Sequence, residues 1–223
     1  MNLTAIGCDQ KPRDRSGQYA TISNVFGIIS ALFVIQRFGY KIWAKIEFGW
    51  DDWFTLVTIV SGVPSTIINA HGVTKHGLGK DIWTLPFTDI TKFTQFFYYL
   101  EIIYFFEVAS LKLALLFFYI RIFPSGTTRK LLWGTVIVDV LFGLTFVLVA
   151  IFQCQPLSYY WKMWDRQHEG KCLDINSIAW SNAGISIGID LWMLALPLLQ
   201  LRKLNLDWRK KIGVAIMFCV GTL

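Results

Sequence analysis

The sequence predicts an all-α, polytopic bundle of membrane-spanning helices, with five complete spans and a sixth begun, and three observations carry that expectation. Of 223 residues, 54% are hydrophobic and 16% charged, against about 45–50% and 25% in an average soluble domain. The apolar residues gather into runs of about twenty, the length a helix needs to cross a hydrocarbon core of about 30 Å. The basic residues, which give a formal charge of +6, stand in short clusters between those runs rather than along one face or arm. They read as membrane-flanking charge, not as a nucleic-acid surface. The same pattern excludes a soluble enzyme.

Residues 1–18 form a polar N-terminal tail with Lys11, Arg13 and Arg15 beside Asp9 and Asp14. It lacks the apolar stretch and small-residue cleavage site of a signal peptide. Residues 19–223 are expected to form one transmembrane domain. Its first span, about 19–38, follows from the uncharged stretch Ser16 to Gln36, and its second, about 53–73, from the run Trp53 to Thr74. The third, about 93–120, contains Glu101, Glu107 and Lys112; the fourth, about 131–152, contains Asp139; the fifth, about 177–199, contains Asp190. The sixth, 212–223, covers only about 18 Å as helix and is incomplete. Pro64 and Pro197 read as kinks or stops that neighbouring helices can satisfy. Gly77-Leu78-Gly79 and Pro124-Ser125-Gly126 punctuate loops.

Orientation follows from Lys and Arg in the loops. The first, third and fifth loops are basic, and the fifth packs Arg202, Lys203, Arg209, Lys210 and Lys211 close together, whereas the fourth offsets its cations with Asp165, Glu169 and Asp174. The N-terminus is therefore expected outside, where Asn2-Leu3-Thr4 is a glycosylation sequon. With that orientation Cys154 and Cys172 both face the oxidising side, and the short loop between them is expected to close as a disulfide. Cys8 and Cys219 have no evident partner.

Ionisable groups inside spans are costly, about 2.5–3.5 kcal/mol at mid-bilayer, so they face the bundle interior and find partners. Glu101 and Lys112 share a face of the third span but lie about 16.5 Å apart along it, and Glu107 points about 140° away from Lys112. Lys112 and Asp139 each lie about 13.5 Å from basic flanks on adjacent antiparallel helices, which makes them the expected pair. Asp190 joins that cluster or the layer of Asn182. The polar core Glu101, Glu107, Lys112, Asp139, Asn182 and Asp190 reads first as structural ion pairing that fixes helix register, and second as a core that repacks when ligand binds.

Asp52, in the pair Asp51-Asp52 before Trp53, is expected to cap the second span. His71 and His76, five apart, do not share a helical face and read as solvated loop residues rather than metal ligands. Most tryptophans mark interfacial belts, while Tyr159, Tyr160, Trp161 and Trp164 make the outer loop aromatic, suited to packing or to covering an apolar ligand. No nucleophile with an oriented base is visible, so no catalytic residue, cofactor or metal is expected.

An ordered set of short motifs runs through these spans: Asp51-Asp52-Trp53, Gly77-Leu78-Gly79, Glu101-Ile-Ile-Tyr104, the run Leu111 to Pro124, Phe152-Gln-Cys154-Gln-Pro156 with Trp161, Cys172-Leu-Asp174, Asn182, Asp190, Leu196-Pro197 and Lys211-Ile212-Gly213. In that order the sequence resembles the fungal rhodopsin-domain family of integral membrane proteins from about Arg37 onward. The resemblance implies a rhodopsin-like arrangement of helices and a receptor-like role or a place beside secondary-metabolite genes. It does not imply a chromophore, although Lys112 is formally a lysine inside a span. Two departures stand out: the family resembles seven-span proteins whereas this chain ends in the sixth, and Ala114 stands where the family motif carries serine. The expected function is that of a multi-pass receptor-like sensor, not an enzyme. The alternative is an accessory membrane protein of a secondary-metabolite pathway, a carrier or a cyclase. Expected partners are the lipid bilayer, a small lipophilic ligand and a cytoplasmic signalling partner, with no nucleic acid, and the plasma membrane is expected ahead of an internal one.

Overall fold

A computed structural model describes residues 13–123 and 126–203. Five helices dominate it: α1 (Ser16–Trp43), α2 (Trp50–Ile67, continued by a π-helical turn Ile68–Val73), α3 (Phe87–Ile122), α4 (Gly126–Ile151) and α5 (Ile175–Lys203). Each is long and apolar enough to cross a membrane. The expected sixth span, the sequon, Cys8, Cys219 and the basic residues Arg209 to Lys211 lie outside the described residues.

The helices outrun the spans read from hydropathy, because hydropathy marks the part in hydrocarbon while the helix continues to a breaker. Thus α3 starts directly after Pro86, and α2 contains Pro64, which deprives the carbonyl one turn earlier of its amide donor. Asp174 accepts from the Asn176 N–H at 3.1 Å and from the Ser177 hydroxyl at 2.6 Å, capping α5. These bonds hold its carboxyl below the usual aspartate range, the Ser177 hydroxyl contributing most.

The central helix is α3, which packs against α2 on one side and α4 on the other. It meets α4 so closely that a Cβ on Gly143 would lie 2.5 Å from the Ala109 Cβ. Leu113, Leu116, Leu132, Val136 and Phe142 form a core there with Ile189, Met193 and Leu196 of α5. None of the residues of α1 is buried, and its apolar surface needs no protein cover in lipid.

At one end of the bundle the tail is tied to the loop between α2 and α3. The Arg15 N–H donates to the Gly79 carbonyl at 3.0 Å, the Arg13 N–H to Asp81 Oδ2 at 2.9 Å, and Lys80 pairs with Asp14 at 3.3 Å. Gly79 has φ +81°, and a Cβ there would lie 2.9 Å from the Ser16 nitrogen, so both conformation and space require glycine. His76 departs from the solvated reading: its ring bonds Asp89 at 2.9 Å and stacks on Phe96, because the loop folds back over the start of α3.

The loop between α4 and α5 lies at the same end. The Cys154–Cys172 disulfide closes it, and the strands β1 (Cys154–Gln155) and β2 (Lys171–Cys172) pair antiparallel across it. Trp164 donates from its indole to Thr91 at 3.0 Å and stacks on Phe87, and Tyr98 contacts the rings of Tyr160 and Trp161. The aromatic loop therefore lies on the first turns of α3.

Candidate functional site

Three polar layers are strung along α3, and each ties it to other elements. The first is at the disulfide end. Glu101 Oε2 accepts from Gln153 Nε2 at 2.9 Å and from the Tyr160 hydroxyl at 3.3 Å, while the Tyr98 hydroxyl donates to the Ile151 carbonyl at 3.0 Å. Tyr160 is buried, and burial, reinforced by the Glu101 carboxylate, raises its phenol above the ordinary range. Next to this layer a cavity of about 330 Å³ separates α3 from α5, with Glu101, Tyr104, Phe105, Ala179 and Asn182 among its walls. Glu101 thus contacts both the disulfide loop and the cavity.

Lys112 forms the second layer, about 16.5 Å further along the helix axis. The expected pairing with Asp139 is not what the structure shows: Lys112 Nζ makes its ion pair with Asp190 of α5 and donates to the Ser186 carbonyl at 3.1 Å. Asp139 is fully buried, lies within electrostatic range of Lys112 and Asp190, and has no hydrogen-bond partner on either oxygen. Asp139 matches Lys112 in depth, but the rotation of α5 presents Asp190 to the flexible lysine stem. Glu107, beside Gly62 of α2, likewise leaves Oε1 without a hydrogen bond.

Arg121 belongs to the third layer, at the opposite end. Asp51 and Asp52 are buried at 2% and 1% exposure. Arg37 reaches Asp51 at 2.7 Å, Lys41 reaches Asp52 at 2.5 Å, and Arg121 stands 3.5 Å from Asp51. Asp52 is not the residue before the helix, as expected, but three residues in: Gly49 precedes α2, and its N–H donates to Asp52 Oδ2 at 2.9 Å. The pair therefore joins α1, α2 and α3 as well as satisfying a helix start. Two buried carboxylates need such cations, yet the sequence suggests for this pair a helix cap, a family motif or, second, coupling to a cytoplasmic partner, since Arg37 and Lys41 lie on another span and Arg121 on a third.

Among the described residues, no three His, Cys, Asp or Glu side chains are grouped to hold a metal. The arrangement offers an apolar cavity with one carboxyl and one carboxamide in its wall, a disulfide-closed loop bonded to that carboxyl, and charge clusters that cross-link helices.

The profile of the fungal rhodopsin domain matches residues 36–223. The chain is similar to a SAT4 family membrane protein of Emericella nidulans, 28% identical over 177 residues, which cover 78% of this chain and 42% of that protein. It is also similar to Fugralins biosynthesis cluster protein 2 of Gibberella zeae, 28% identical over 96% of this chain and 54% of the relative. Wortmanamides biosynthesis cluster protein C of Talaromyces wortmannii is 25% identical over 78% of this chain and 48% of the relative. The chain thus spans about half the length of these curated relatives. No solved structure matches it.

Proposed function

Since the chain belongs to the fungal rhodopsin domain family, we propose that it is a receptor-like, non-enzymatic sensor, in which a small lipophilic ligand enters the α3–α5 cavity and shifts the bundle between two arrangements. One observation carries this reading: Glu101 lines the cavity and holds the disulfide-locked loop through Gln153 and Tyr160. A ligand that bonds Glu101 competes with Gln153 and Tyr160 of the loop, and α3 links that change to the Lys112 and Arg121 layers. Such a shift needs different ligand affinities in the two arrangements. The reading places the N-terminus and the disulfide loop outside, the basic third loop inside facing a signalling partner, and the protein in the plasma membrane.

A second reading is favoured by the same carboxyl. An acid in an apolar wall suits a cyclase or carrier that handles a lipophilic intermediate, and two of the relatives bear the names of biosynthesis clusters. Gene deletion separates the two. The sensor reading expects a blunted response to an external chemical cue with an unchanged metabolite profile; a lost metabolite with intact sensing overturns it.

A further inference from the structure

A second and larger cavity, about 650 Å³, opens between α4 and α5. It lies within the range of about 300–1,000 Å³ typical of small-molecule sites. Leu131 and Val138 of α4 face Ile185 and Trp192 of α5 across it, and Gly134 and Gly188 deepen the two walls. Neither glycine has an atom within 4 Å of where a Cβ would stand, so the space is open on both sides. The Trp192 indole donates to the Thr135 hydroxyl at 3.0 Å, which satisfies the polar groups of the cleft and leaves an apolar slot.

Lys130 lines the same cleft in the first turns of α4. That position is at the interfacial end, where a headgroup would sit. Lys130 and the neighbouring Arg129 are both exposed. Neither makes an ion pair among the described residues, in contrast to Arg37, Lys41, Lys112 and Arg121, which all have carboxylate partners. Apolar slot and Lys130 are thus arranged along the membrane normal in the order of an acyl chain and its anionic head.

We infer that the α4–α5 cleft is a lateral site for one anionic phospholipid drawn from the surrounding bilayer, with its headgroup at Lys130 and an acyl chain between Gly134 and Gly188. Basic pockets between membrane helices recognise anionic headgroups in this way. The site is separate from the α3–α5 cavity and stands whichever way the sensor reading is decided.

The test uses the full chain in detergent micelles, titrated with phosphatidylserine or with phosphatidylcholine of identical acyl chains and followed by native mass spectrometry. The expected result is one retained phosphatidylserine in preference to phosphatidylcholine. Lys130→Gln should reduce that preference about fivefold, the equivalent of about 1 kcal/mol per basic residue. Gly134→Leu, which projects into open space and leaves the fold intact, should remove the retained lipid of either headgroup. Equal retention of the two lipids, or retention untouched by Gly134→Leu, overturns the inference. So does a Gly134→Cys variant that cross-links to a second copy or to another segment of the chain, since the cleft is then occupied by protein.

Discussion

The mid-membrane cluster makes an unequal prediction for its two aspartates. Lys112 is almost wholly buried, while the Asp190 side chain is 43% exposed and Asp139 is fully buried without a hydrogen bond. Replacing Asp139 by asparagine removes no hydrogen bond and should cost about 0.5 kcal/mol, near the average of polar contacts between membrane helices. Asp190→Asn removes the direct counter-ion of Lys112, but Asp139 stands in range to replace it, so the loss should be about 1–2 kcal/mol, near the upper end of polar contacts between membrane helices. The double variant leaves Lys112 with no counter-ion, and the cost should rise to about 2.5–3.5 kcal/mol, that of an isolated charge at mid-bilayer. At the midpoints of these ranges the two substitutions are coupled by about 1 kcal/mol. Equilibrium unfolding of the four proteins in mixed micelles, followed by the near-ultraviolet circular dichroism of the buried aromatic residues, measures each step. Additive losses, or a single Asp139→Asn loss as large as that of the double variant, would refute the assignment of Asp190 as primary partner and Asp139 as reserve.

Substitution of both Cys154 and Cys172 by serine should lower stability by about 3 kcal/mol, the loop-closure value for a separation of 18 residues, and should make the aromatic loop susceptible to limited proteolysis while the helical circular dichroism is retained. Gly79→Ala should loosen the tail from the loop, because the φ of +81° and the Ser16 nitrogen both oppose a Cβ; faster amide exchange at Arg15 is the readout. Asp174 has its carboxyl depressed by its helix-capping bonds, so its stabilisation is complete above the ordinary aspartate value and is lost as pH falls through the lower folded value. Asp174→Asn, which still caps but does not titrate, should match the wild type at pH 7 and show a shallower fall in melting temperature between about pH 5 and 3; identical slopes would rule out the cap as a titrating contributor.

What a single chain reveals about such a protein divides along the membrane normal. Depth is linear in residue number, about 1.5 Å per residue in a helix, so the apolar runs around residues 19–38 and 53–73, the buried position of Lys112 and the placement of Cys154 and Cys172 on one side were legible without coordinates. The Cys154–Cys172 disulfide followed from that same one-dimensional reading. Rotation of a helix about its own axis and the choice of neighbour are not linear in anything the sequence displays, because several rotations bury comparable apolar area in a lipid that is itself apolar. Packing decided that α5, not α4, presents its carboxylate to Lys112, that Arg37, Lys41 and Arg121 converge on Asp51 and Asp52, and that Glu101 bonds Gln153 and Tyr160 at the mouth of a cavity. Those contacts join residues on different elements, and only the folded bundle brings them within reach.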